Sequence, residues 1–274
     1  MKNKSHISVV KTSASTIAVL ALVVSVTSVY SVAGADNTTP DKTEVKKEEK
    51  KKWESTATAG VTLTRGNSKT FLASLALNTK RTFEHDELLF GANAGYGENS
   101  TTDANGTKTD HVTDSYVKAF GQWNHLFSAQ TYAGVRVAGE HDDTAALTYR
   151  LLISPLAGYY FLKETNQFLV GEIGPSYVRE KFFGEDVHNY IALRVAERGE
   201  HKFNSGAKIW ESVEWLPKVQ DFQNYLVNAE AGVSAPINKA LSVSLVLQDS
   251  YKSVPAKGKL KNDLKLIAGA TYNF

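Results

Sequence analysis

At 274 residues, 42% of them hydrophobic and 22% charged, the chain can build one sizeable β domain or two small α/β ones, and composition alone does not choose. A formal net charge of +2 lacks the basic excess that nucleic acid demands, so no nucleic-acid partner is expected. The absence of cysteine excludes disulfides, thiolate metal sites and Cys nucleophiles, and is compatible with export.

The chain opens with Lys2, Lys4 and Lys11 ahead of an apolar run from Ile17 to Val26, and Ala33-Gly34-Ala35 follows as the small-residue pattern a signal peptidase reads. That run is shorter than the roughly 18 to 20 residues a spanning helix needs. Residues 1–35 are therefore expected to be a signal peptide. From Asp36 to Lys52 the chain is charge-dense, with Lys46-Lys47-Glu48-Glu49-Lys50-Lys51-Lys52, and has too little apolar surface to offset chain entropy. Residues 36–52 read as a charged periplasmic linker, and 53–274 as the folded domain.

From Trp53 onward a period of two recurs, the signature of strands. Ala57, Ala59, Val61 and Leu63 alternate with threonines; Leu88, Phe90, Ala92, Ala94 and Tyr96 alternate with Gly91, Asn93 and Gly95. The longest apolar face is predicted for Leu147, Tyr149, Leu151, Ile153, Ala157, Tyr159 and Phe161. The weakest strand is 207–215, where Glu211 falls on the apolar side. At the end, Leu264, Leu266, Ala268, Ala270, Tyr272 and Phe274 oppose Lys259, Lys261, Asp263 and Lys265. About twelve strands result, an even number as closed bacterial barrels require. Short turns are expected near Glu84, Ser128, Glu164, Ser205 and Asn238. Longer links are expected at 98–110, 140–146, 181–186, 217–221 and 255–259, and the tight Gly66-Asn67-Ser68 hairpin is the exception.

Alternation of this kind also fits a soluble periplasmic β-barrel binding module. Three features favour a membrane barrel instead. Tyr96, Trp123, Tyr159, Tyr177, Trp215, Tyr225, Tyr251 and Tyr272 fall near strand ends on the apolar face, as interfacial girdles require. That face is rich in Ala, Val and Leu, and the opposite face carries charges from many strands. The expected fold is an all-β, transmembrane, antiparallel up-and-down β-barrel of about 12 strands in the bacterial outer membrane, with outer-membrane lipid as its surroundings.

The entry Trp53, the 60–70 stretch with its Arg65-Gly66-Asn67-Ser68-Lys69-Thr70 turn, and the ending Ala268-Gly269-Ala270-Thr271-Tyr272-Asn273-Phe274 together resemble the YdiY-like family of salt-induced outer-membrane proteins, named by a domain of unknown function. The resemblance implies an outer-membrane barrel and assigns no reaction. The ending is also similar to the signal read by the barrel-assembly machinery, with Gly269, Tyr272 and Phe274 at the matched positions and Ile267 where a polar residue is usual.

No catalytic set can be assembled from spacing. His111 with Asp114, and His141 with Asp142 and Asp143, are the best base candidates, yet no Gly-x-Ser-x-Gly accompanies them. A barrel enzyme acting on lipid stays as the alternative from another class. Phosphate-loop and zinc motifs are absent, and the acidic residues Asp103, Asp110, Asp114, Asp142 and Asp143 lack the fixed spacing of a calcium loop. No cofactor or metal is expected. The inward face is more informative: the period sends Lys80, Lys118, Arg136, Arg150, Arg194, Arg198, Lys208, Lys252, Lys261 and Lys265 into the lumen with Asp114, Glu140, Glu172, Glu200, Glu214, Glu230 and Asp263, a mixed set with basic residues somewhat ahead. Such charges set pore selectivity, so a small channel that prefers small anionic solutes is one expectation. Mutual pairing that fills a narrow, envelope-structural barrel is the other.

Overall fold

The structure, a computed structural model, describes residues 53–64, 69–102 and 108–274. Among them are twelve strands and no helix: β1 (Glu54–Thr64), β2 (Lys69–Thr82), β3 (Asp86–Thr102), β4 (Lys108–Leu126), β5 (Thr131–Asp142), β6 (Leu147–Lys163), β7 (Gln167–Phe182), β8 (Val187–Lys202), β9 (Lys208–Lys218), β10 (Asp221–Pro236), β11 (Leu241–Lys252) and β12 (Asn262–Asn273). Each pairs antiparallel with its chain neighbours, and β1 closes on β12 from Thr56↔Asn273 to Val61↔Ala268. Ser55 and Phe274 exchange main-chain hydrogen bonds at 3.0 and 3.2 Å to seal the seam. Closure leaves this sheet no free edge, so its backbone donors and acceptors are satisfied within the wall. The expected signal peptide, the linker and the Gly66-Asn67-Ser68 hairpin lie outside the described residues.

Alternation along the strands has an inverted sense relative to a soluble barrel. On β6, Arg150 is 5% exposed and Ser154, Leu156 and Tyr160 are buried, while Leu151 is 50% exposed with Ile153, Tyr159 and Phe161 beside it on the outside. Apolar side chains cover the outer wall, and the interior mixes charged and polar side chains with apolar clusters such as Tyr132, Leu156, Tyr160 and Val170. Inward glycines make room for rings lying flat against the wall. A Cβ at Gly158 would collide with the Tyr132 ring, one at Gly91 with Phe120, and one at Gly232 with Trp210. Tyr96, Trp123, Tyr159, Tyr177, Trp215 and Tyr272 are exposed on the outer face, and Tyr225 stacks on Tyr251 at 5.8 Å.

Three expectations are corrected. Leu147 is buried instead of facing outward, because Ala146 takes a positive φ of 54° and the register shifts between Leu147 and Tyr149, which breaks the parity. The 98–110 link is mostly strand: past the irregularity at Gly97/Glu98, β3 and β4 continue as a paired ribbon to Thr102↔Lys108. The 217–221 link is tight, since Lys218 pairs with Asp221 and only Val219 and Gln220 lie between the strands.

Candidate functional site

The barrel interior concentrates the chemistry, and parity brings the charges together. At the short-turn end, the fully buried Glu87 accepts from Tyr160 Oη at 2.8 Å and Lys163 Nζ at 3.4 Å, with Lys80 Nζ at 3.9 Å. At mid-height Glu172 is the hub. Its Oε1 accepts from Tyr132 Oη at 2.6 Å, Gln122 Nε2 at 2.7 Å and Arg198 Nη2 at 3.0 Å; its Oε2 accepts from Arg194 Nη1 at 2.8 Å. Arg194 Nε also reaches Glu214 at 2.5 Å, and Arg136 lies 3.7 Å over the Phe120 ring. Towards the long-loop end Arg150 pairs with Glu140 and, at 2.7 Å, with Glu180; Lys118 sits 3.5 Å from Glu140.

Each of these clusters holds one more cation than carboxylate: Lys80 and Lys163 against Glu87; Arg136, Arg194 and Arg198 against Glu172 and Glu214; Lys118, Arg150 and Lys252 against Glu140 and Glu180. The remaining inward charges, spread over β4, β8, β9, β10 and β12, lean acidic. Lys265 pairs with Asp114 at 2.8 Å and Asp263 at 3.4 Å, Lys208 pairs with Glu200 at 3.2 Å, and Glu230 accepts from Trp210 at 2.8 Å and Gln248 at 2.9 Å. Lys80, Lys118, Arg136, Arg150, Glu172, Arg194, Arg198, Lys208, Glu230 and Lys265 share the face that carries these contacts, whereas Lys261 precedes β12 and is exposed. Among the described residues, ion pairs reach across the lumen from Lys252 on β11 to Glu180 on β7 at 3.6 Å and from Lys265 on β12 to Asp114 on β4. Beside the first is a cavity of ≈ 10 Å³ bounded by Arg150, Leu152, Tyr190, Leu216 and Lys252, about enough for one water.

Sequence reasoning missed Glu87, Glu180 and Lys163. Glu87 has the parity of Gly91 and Asn93, and Glu180 that of Glu172 and Ser176, so the period marks both; their places beside turns disguised them as loop charges. The aromatic donors Tyr132 and Tyr160 had no signal, because their partners lie 40 and 73 residues away. Among the histidine candidates, His141 donates from Nδ1 to the Thr148 carbonyl at 2.8 Å, and its Nε2 lies 3.1 Å from Asp143. His111 is exposed at the far end of β4. Asp142 accepts from the Ala145 amide, tying it to the turn, and Asp103 lies outside the described residues. At the C-terminus Tyr272 and Phe274 stack on the outside at 5.9 Å, and Gly269 packs so closely on Ala59 that a Cβ there would meet its carbonyl oxygen at 2.5 Å. Ile267 points inward against Gly60.

A family model described as protein of unknown function, DUF481, matches residues 57–274. No curated protein matches the sequence. Among solved structures, the NanC porin superposes with a TM-score of 0.50 at 7% identity, covering 80% of this chain and 100% of that one. The KdgM porin gives 0.42 at 8%, covering 80% and 99%. The translocator domain of autotransporter NalP from Neisseria meningitidis gives 0.43 at 11%, covering 81% and 87%. At 7% identity the likeness to the NanC porin is one of fold.

Proposed function

Because the chain belongs to the DUF481 family, whose description assigns no function, its role must come from its own barrel, and we propose an integral outer-membrane protein with a narrow, slightly basic path for small anionic solutes. The observation that carries this is the inverted wall. Leaving a Leu- or Val-sized side chain in water instead of burying it forgoes about 1.5–3 kcal/mol, and residues such as Val137, Leu151, Ile173, Val233, Leu245 and Leu266 repeat that exposure around the barrel. Lipid removes the penalty, and closure satisfies the backbone there. Residues 1–35 would direct export, and Gly269, Tyr272 and Phe274 would be read by the barrel-assembly machinery. The YdiY-like, salt-induced character belongs to the same proposal.

The one cation left over in each cluster, supplied in the third by Lys252 of β11, supports anion preference. A second reading, a filled barrel with an envelope-structural role, is favoured by the contacts that cross the lumen, Lys252 to Glu180 and Lys265 to Asp114. Planar-bilayer recording of the purified protein separates the two. Discrete conductance with a reversal potential on the anion side in a KCl gradient is expected; a silent bilayer with correctly folded protein leaves the filled barrel.

A further inference from the structure

Three of the inward arginines are matched to carboxylates, and the fourth is not. Arg150, Arg194 and Arg198 each hold a carboxylate oxygen within 3.0 Å, whereas among the described residues no carboxylate lies within 4.0 Å of Arg136. The one side-chain hydrogen bond recorded for Arg136 runs from Nη1 to Gln122 Oε1 at 3.3 Å. Its guanidinium is nonetheless held in place. Phe120 lies flat beneath it at 3.7 Å, and Gln122, only 3% exposed, cannot swing because its Nε2 is committed to Asn124 at 3.0 Å and Glu172 at 2.7 Å. Arg136 itself is only half-buried, and on the inward face that exposure opens to the lumen.

A planar fork of five N–H donors, one of them in use, matches the paired oxygens of a carboxylate or phosphate. The charges around it agree. Arg194 and Arg198 are cations; Glu172 is spanned by both, and Glu214 is paired with Arg194. Neither carboxylate has an unmet cation, and the cluster keeps one positive charge over. Glu214 and Glu172 act on Arg136 only from beyond contact distance, and a charge held partly out of water gains from a counter-ion in contact with it.

We propose that Arg136 is the cation of an oxyanion-binding subsite at mid-height of the lumen, which takes the carboxylate or phosphate group of a small solute. The proposal deepens the anion-path reading and relies on it for the solute's access, though binding can be read without conductance. Phe120 and Gln122 are the positioning residues.

The test uses the full protein in detergent, with inorganic phosphate and acetate as separate probes in titration calorimetry, and the same protein in planar bilayers. Arg136→Gln is expected to weaken binding of the preferred probe by about tenfold or more, with Arg136→Lys in between and Lys239→Gln, in the exposed turn between β10 and β11, without effect. Whichever probe binds more tightly identifies the source as phosphate or carboxylate. Should Arg136→Gln lose the heat-modifiable gel mobility of a folded barrel, Phe120→Leu, which frees the guanidinium from its platform, is expected to weaken binding severalfold. No saturable binding of either probe, or binding indifferent to Arg136, overturns the subsite. Binding that depends on Arg136 in a protein that passes no current would keep the subsite and refute the channel.

Discussion

Replacing Glu172 by Gln keeps the shape of the hub and removes its charge. The native carboxylate is 1% exposed and accepts four hydrogen bonds, two of them from guanidiniums at 2.8 and 3.0 Å. The amide keeps one acceptor oxygen and turns a second set of donors toward Arg194 or toward Tyr132 and Gln122. The cluster then holds three cations against Glu214 alone. Removing one partner of a buried pair typically costs about 3–5 kcal/mol, and with a urea m-value of roughly 2–3 kcal/mol/M the midpoint should fall by about 1–2 M. Urea titration of refolded protein, followed by tryptophan fluorescence, measures the shift. Adding Arg194→Met should cost less than its effect in the wild type, because it removes a cation that the first change stranded. A midpoint change below about 0.3 M, or strict additivity of the pair, would refute a buried, coupled network. It would mean instead that water reaches Glu172 freely and that the lumen is wide.

Leu245→Arg tests the inverted wall: Leu245 is 45% exposed in the middle of β11, so the change should cost about 2–4 kcal/mol in lipid but fall within about ±0.5 kcal/mol for a water-facing residue, a difference readable as folding yield and urea midpoint in vesicles. Phe274→Ala removes a ring stacked on Tyr272 while leaving the main-chain bonds to Ser55. It should cost only about 0.5–1.5 kcal/mol in refolded protein yet sharply reduce the barrel recovered from outer-membrane fractions; equal losses in both assays would make Phe274 a structural contact and not an address.

The fold was legible because a two-residue period survives wherever one face meets an apolar surrounding and the other does not. β3 and β12 illustrate it: every outward position from Leu88 to Tyr96, and from Leu264 to Tyr272, was read from the chain alone. Errors arose where the ladder slips. At Leu147 a positive φ and a shifted register exchange inside for outside within two residues, and apolar residues on both sides of the slip give the pattern no means to mark it. The 98–110 segment failed for the converse reason. Its polar and glycine composition reads as loop, yet β3 and β4 form a paired ribbon there, where backbone bonding alone suffices.

The site divides along a similar line. Parity decides which side of the wall a residue occupies, so it could gather Lys80, Lys118, Arg136, Arg150, Glu172, Arg194, Arg198, Lys208, Glu230 and Lys265 into one interior. Partnership is decided by barrel curvature and strand stagger, which bring Lys265 to Asp114 across 151 positions of sequence and Tyr160 to Glu87 across 73. That difference separates Arg136 from its neighbours. Arg136, Arg194 and Arg198 are alike as sequence, each an inward arginine on a strand. Only the stagger gives Glu172 to two of them and sets Phe120 under the third. A count of charges would therefore predict a nearly neutral lumen that attracts nothing. The pairing instead leaves Arg136 with no carboxylate in contact among the described residues, which is the basis of the proposed subsite even though the barrel as a whole is close to charge balance.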